Sequence, residues 1–187
     1  MSGEEGGNPQ QQWADALAER IEAATDGRIR LAVHVLARMA VLLYPAQPRH
    51  VDVNLASSER MLVSGVVRVW TDDHLLLADL QDVKTARHHR FDDGHREARV
   101  SIKVLPRSAL QQVSIEPEGD SWVNGADVWQ ASAAEGNWTF PHYGRVTLRY
   151  AGLAEPVALP AGVSPGGIGE LLPTLLGDLS PSCRGAE

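Results

Sequence analysis

Apolar residues recur at near-fourfold spacing over the first 44 positions, alternate with polar ones from about position 60, and return to fourfold spacing near position 167. Trp13, Leu17 and Ile21 are spaced by four, with Asp15, Glu19, Arg20 and Glu22 on other faces, so an amphipathic helix is expected from about 10 to 25. Asp26-Gly27 ends it. A second helix is expected over about Arg28 to Tyr44. Its only polar residues, Arg30, His34 and Arg38, form a narrow stripe, while Leu31, Val35, Leu36, Met39, Leu42 and Leu43 cover the rest. Such a helix requires cover on more than one side, either from the first helix and the body of the domain or from a second copy of the chain. Pro45 and Pro48 terminate helical structure.

Leu62 to Trp70 places Val63, Gly65, Val67 and Val69 on one face, and Asp72-Asp73 is read as a turn into a second strand, His74 to Leu80. Ala98, Val100, Ile102 and Val104 alternate with Arg99, Ser101 and Lys103, the pattern of a half-buried strand with a basic outer face. Pro106 ends that strand. Further strands are expected at Leu110 to Ile115, around Trp122 to Ala131, at Arg145 to Tyr150 and at Val157 to Leu159. A last helix carries Ile168, Leu171, Leu172, Leu175, Leu176 and Leu179, with Ser164 as N-cap, Pro165 at the first helical position and Pro173 as an expected kink or break. The expected fold class is α+β: two amino-terminal helices, an antiparallel meander sheet or partly open barrel of about seven strands, and a carboxy-terminal helix. This gives one domain over 10–179 (helical hairpin 10–44, sheet 60–160, closing helix 165–179) between a disordered tail at 1–9 and a tail at 180–187.

Composition narrows the function classes. The 187 residues carry a net charge of −7, which disfavours nucleic acid and anionic membrane as partners of the whole surface. Fifteen of the 17 basic residues are arginine, a bias of the kind found in GC-rich bacterial genomes. The single cysteine, Cys183, allows no intrachain disulfide, and the start of the chain has neither the basic nor the apolar region of a secretory signal. The most apolar stretch, Leu31 to Tyr44, is too short and too interrupted to span a bilayer. A cytoplasmic protein without a transmembrane segment is expected.

The stretch Val104-Leu-Pro-Arg-Ser-Ala-Leu-Gln-Gln-Val-Ser-Ile-Glu116 looks like a strand-to-strand step found in pleckstrin-homology-like domains, and Arg145-Val-Thr-Leu-Arg-Tyr150 looks like one of their late strands. From about 60 to 179, strands followed by one apolar helix resemble that superfold, including its bacterial members. The resemblance implies a bent sheet with one open end plugged by the last helix. The two amino-terminal helices lie outside it.

Lys84 to Arg99 inverts the charge of the chain locally. It holds five basic residues (Lys84, Arg87, Arg90, Arg96, Arg99) against Asp92, Asp93 and Glu97, together with His88, His89 and His95. Between two strands, with Asp93-Gly94 at the bend, it would project cations and imidazoles toward an anion. The candidate ligand-binding residues are therefore Lys84, Arg87, His88, His89, Arg90, His95 and Arg96. Lipid-binding members of the resembling superfold use a basic loop in this way, but here Asp92 and Asp93 interrupt the basic run. The same composition also suits a solvated hairpin tip whose charges satisfy each other.

Other chemistry finds little support. His88, Asp92 and His95 match no metal-ligand spacing, so no metal is expected. Gly162-Val-Ser-Pro-Gly166 spells a nucleophile elbow, yet the last histidine, His142, lies upstream of it, which leaves Ser164 as a helix cap. Gly166-Gly-Ile-Gly169 lacks the lysine of a phosphate-binding loop. Neither a catalytic residue nor a cofactor is expected. Trp122, Trp129 and Trp138 with Phe140, His142 and Tyr143 concentrate the aromatic side chains, either as packing or as the lining of a cavity.

These readings converge on a non-catalytic binding or assembly module. Its second helix would serve homo-oligomerisation or docking of a protein partner, and its basic loop would face an anionic ligand or an acidic partner. The alternative is a small-molecule-binding or enzymatic α+β cone resembling nuclear transport factor 2, with Asp127, His142 and Arg145 beside the tryptophans.

Overall fold

The computed structural model describes residues 8–59, 62–85, 98–116, 145–159 and 168–179. The chain divides into two compact units, Met1–Pro106 and Arg107–Glu187, each described by itself. The class is α+β, with antiparallel sheets between amino-terminal helices and a carboxy-terminal helix. The described strands form one sheet of four and one of three, without a closed barrel among the described residues.

In the first unit, α1 spans Pro9–Ala24. Asn8 caps it by accepting the Gln10 N–H at 3.0 Å, and Pro9 occupies the first turn, where a missing N–H costs nothing. At the other end Asp26 and Gly27 adopt positive φ, and the Gly27 N–H donates to the Glu22 carbonyl at 2.8 Å. Helix α2 spans Val33–Leu43, not the expected 28–44. Its first expected turn is extended instead: Ile29 and Leu31 are both buried, and Leu31 bridges to Thr85. Burying two alternate apolar side chains outweighs the weak local preference for another helical turn.

Four antiparallel strands follow: β1 (His50–Ser57), β2 (Leu62–Trp70), β3 (His74–Lys84) and β4 (Arg99–Pro106), adjacent in chain order. The sheet therefore begins ten residues before the expected position 60. Val51, Val53 and Leu55 of β1 alternate as a strand should and pack on the core. The expected turn at Asp72-Asp73 is present, tied by the Thr71 N–H to the His74 carbonyl at 2.9 Å and by the Thr71 hydroxyl accepting the His74 N–H at 3.0 Å.

One face of the sheet meets both helices. Leu17, Ile21, Val35, Met39, Val67 and Leu76 belong to a single buried cluster, so side chains fill the layer between helices and sheet. Trp13 Nε1–H donates to the Ala46 carbonyl at 2.9 Å and Arg20 to the Pro48 carbonyl at 2.7 Å, which fastens the α2–β1 connection to α1.

Gly65 sits in β2 at φ 135°, next to an irregularity in the β2–β3 register. A Cβ there would collide with the Asn54 carbonyl of β1. Across the irregularity, Asp82 has φ 52° and donates its N–H to the Ser64 hydroxyl at 2.9 Å. Gln81 and Asp82 of β3 thus stand against the single residue Ser64, as in a β-bulge, next to a position of β2 where only glycine fits.

In the second unit, a short 3₁₀ turn, Arg107–Ala109, leads into β5 (Leu110–Glu116). Strands β6 (Arg145–Tyr150) and β7 (Val157–Leu159) complete the sheet, in the order β5-β6-β7. Helix α3 spans Ile168–Leu179 and packs against β5 and the 3₁₀ turn. It continues through Pro173, with Leu171 and Leu175 buried and Leu176 exposed. Loss of one backbone donor does not outweigh burial of the two leucines. Buried Arg107 donates from Nε to Asp178 Oδ2 at 2.9 Å and from Nη2 to the Thr174 carbonyl at 3.3 Å, joining the start of this unit to its helix.

Candidate functional site

Helix α2 lies over β3 and β4 and has two kinds of apolar residue. Val35, Leu36, Met39, Ala40 and Leu43 are buried, as periodicity demands. Val33, Val41 and Leu42 are 53%, 70% and 50% exposed. Leu42, expected among the covering residues, lies instead on the solvent flank, one position from fully covered Leu43. The exposed side of the helix is therefore wider and more apolar than the Arg30, His34 and Arg38 stripe alone.

This flank does not face open solvent on all sides. Ala37, Arg38, Val41 and Leu42 form one wall of a groove of about 440 Å³, and Val100 and Ile102 of β4 form the other. The sequence pattern turns Val100 and Ile102 toward the helix layer and Arg99, Ser101 and Lys103, all exposed, to the opposite face. Strand β4 is the last described strand of its sheet, so among the described residues the groove runs along a sheet edge. Arg38, Arg99 and Lys103 have no ion-pair partner among the described residues. The groove is thus apolar, with Arg38 the one charged residue among the described residues of its walls and Arg99 and Lys103 on the opposite face of the same strand, an arrangement suited to holding a side chain or a segment of polypeptide. Among the described residues that line it, no nucleophile lies against a base. Among the described residues no cluster of three metal-ligating side chains occurs.

The basic, histidine-rich segment joins β3 to β4. Lys84 ends β3, Arg99 opens β4 opposite Gln81, and Thr85 is pinned by its bridge to Leu31. Its remaining candidates, Arg87, His88, His89, Arg90, His95 and Arg96, lie outside the described residues, as does Asp92. The described strand ends bring Lys84 and Arg99 to one end of the sheet. The Thr85 hydroxyl there is buried without a hydrogen-bond partner among the described residues.

The tryptophan cluster, Asp127, His142, the Gly162 to Gly166 string with Ser164, and Cys183 also lie outside the described residues. Of the polar groups proposed for a cone, only Arg145 is in a described element, at the start of β6.

The face of the first sheet away from the helices carries a second polar arrangement. Asp52 of β1 and Arg68 of β2 are register partners, with Nη1 to Oδ2 at 3.1 Å. Burial lowers the pKa of Arg68, while the charge and hydrogen bond of Asp52, and the charge of Asp79, act against that shift. Nothing in the spacing of Asp52 and Arg68 points to this pair, because it depends on β1, a strand absent from the expected sheet. The groove carried a partial signal in the breadth of the apolar surface on α2, but nothing in the periodicity told Leu42 from Leu43.

No described helix is long and apolar enough to cross a membrane. No family model and no curated protein matches the chain. Among solved structures, it is similar to a DUF1696 family protein with a pleckstrin-homology domain from Shewanella loihica PV-4, at 16% identity, with 76% of this chain and 91% of that chain covered and a TM-score of 0.37. A likeness this loose leaves the functional reading to the residues themselves.

Proposed function

We propose that this chain is a non-catalytic protein-docking or assembly module of a bacterial cytoplasm, whose partner surface is the exposed flank of α2 and the groove it forms with β4. The observation that carries this reading is the juxtaposition of Val41 and Leu42, each at least half exposed, with Val100 and Ile102 across an open apolar groove. Single exposed apolar residues are ordinary on protein surfaces, but a contiguous apolar groove between a helix and a sheet edge marks an interaction site. A protein partner or a second copy of the chain would bury it.

The basic loop is a second element of the same proposal. Lys84, Arg87, His88, His89, Arg90, His95 and Arg96 would offer a local surface for an anionic ligand or an acidic partner. The reversal of charge within an acidic chain, and the connection of the loop to β4, support that role.

Solution mass of the full chain at several concentrations, with Val41→Asp/Leu42→Asp alongside, tests the docking surface. The expected result is an oligomer, or a retained protein partner, that the double variant loses. A wild-type chain that stays at 20.3 kDa throughout and retains no partner contradicts the reading.

A further inference from the structure

We infer that the occupant of the α2–β4 groove is an extended segment that adds to β4 as a fifth strand, its apolar side chains alternating with carboxylates. The inference rests on the docking reading above and deepens it by naming the chemistry of the partner.

Backbone geometry makes the first argument. In the order β1-β2-β3-β4, no described strand covers the outer edge of β4, an eight-residue strand whose free backbone groups are a template for another extended chain. A helix laid in the groove would leave that edge unpaired. An added strand satisfies it, and the alternation of its side chains places every second residue on the helix side. There the side chains meet Val100 and Ile102 as cross-strand neighbours and Ala37, Val41 and Leu42 as the far wall.

Charge makes the second. The remaining residues of the added strand fall on the face that carries Arg99, Ser101 and Lys103. Arg99 and Lys103 are exposed and without an ion-pair partner among the described residues, and so is Arg38 on the groove wall. The carboxylate nearest in register, Asp79 opposite Ser101, also lies in the field of Arg68. Carboxylates on that face of the incoming strand would meet Arg99 and Lys103 directly, whereas lysines would be repelled.

The same reasoning disfavours a second copy of the chain. A two-fold antiparallel pairing of β4 with itself stacks the Arg99, Ser101 and Lys103 face of one chain beside the identical face of the other. Like charges then lie side by side at the centre of the interface.

The test uses the full chain and two labelled octapeptides, one alternating Glu with Val and one alternating Lys with Val, followed by fluorescence anisotropy at low salt. The Glu peptide is expected to bind at least about tenfold more tightly than the Lys peptide, with the order reversed in Arg99→Glu/Lys103→Glu. A Glu peptide N-methylated at alternate amides along the pairing edge is expected to lose about tenfold or more, because it can no longer join the ladder. Equal affinity for the two peptides, no binding of either, or an order unmoved by the charge reversal overturns the inference. If neither peptide binds, Arg99 and Lys103 act only to discourage edge pairing. If the peptides fail while Val41→Asp/Leu42→Asp still abolishes an oligomer, the groove remains a docking surface and its occupant is a second copy. If that variant also changes nothing, the docking reading falls with the inference.

Discussion

Asp52 and Arg68 face each other across β1 and β2 as a cross-strand ion pair, 7% and 16% exposed and 3.1 Å apart, on the side of the sheet away from the helices. Burial works against the charge of the guanidinium and the carboxylate works for it. Removing one partner leaves an uncompensated charge out of water, whereas removing both removes the problem. Asp52→Ala is therefore expected to cost about 3 kcal/mol in urea denaturation, and Asp52→Val/Arg68→Met clearly less than that single change. A double variant as damaged as the sum of its parts would contradict the pairing.

Gly65 gives the sharpest test of the β1–β2 register. Its φ of 135° and the closeness of the Asn54 carbonyl leave no room for a side chain. Gly65→Ala is expected to cost about 2 kcal/mol or more in chemical denaturation, against a few tenths for the same exchange at a helix surface. A neutral outcome would mean that Gly65 does not lie this close to Asn54 of β1.

The Thr85 hydroxyl, just past the end of β3, is buried without a partner among the described residues, so its removal breaks no hydrogen bond there. Thr85→Val keeps the shape and deletes the unsatisfied group. It is expected to stabilise the chain by about 1 kcal/mol, read as a raised thermal midpoint. A loss of stability would indicate a hydrogen bond made within residues 86–97.

In the second unit, Arg107 ties the 3₁₀ turn to α3 through Asp178 and the Thr174 carbonyl. Arg107→Ala is expected to speed hydrogen exchange in α3 by about a hundredfold, the equivalent of about 3 kcal/mol, because it leaves Asp178 and the carbonyl without their donor. Exchange in α3 that stays at the wild-type rate would show that the helix is held by Leu171 and Leu175 alone.

The basic loop makes its own prediction. The wild-type chain is expected to be retained on anionic vesicles at low salt, and retention is expected to fall as ionic strength rises. Arg87→Ala/Arg90→Ala/Arg96→Ala is expected to lower retention several-fold at low salt. Retention unchanged by the triple variant would remove the loop from the account.

Much of the fold was legible where one period dominated. Val146, Leu148 and Tyr150 alternate cleanly in β6, β7 falls where the pattern put it, and α3 carries the expected leucine stripe from Ile168 to Leu179, though without the break expected at Pro173. The pattern misled where tertiary burial overrode local preference. Ile29 and Leu31 look like the start of α2, but Leu31 is worth more against Thr85 than in another helical turn. In β1 the alternation of Val51, Val53 and Leu55 is present, but Pro45 and Pro48 close by signal only the end of a helix, and no strand is expected before position 60. For the candidate sites, charge alone drew attention to Lys84–Arg99, since a run of like residues needs no fold to be seen. The groove could not be read in this way. Its walls come from residues about sixty positions apart, and their meeting depends on which side of α2 turns to β4.

The docking account also requires that exposed and buried residues of α2 differ in what they do. Val41→Asp and Leu42→Asp are each expected to change stability by no more than about 0.5 kcal/mol, while Met39→Ala, on the buried side of the same helix, costs about 3 kcal/mol. Thermal and urea midpoints of the three variants check this. Equal damage at all three positions would mean that the flank is part of the core.

The most direct measurement places a photoreactive amino acid at Val41 in the producing cells, with Glu19 on the exposed face of α1 as the control position. The account predicts one discrete adduct from Val41 and none from Glu19, with the Val41 adduct lost when Leu42 is replaced by Asp. A Val41 site that yields no adduct, or the same smear of products as Glu19, would contradict it.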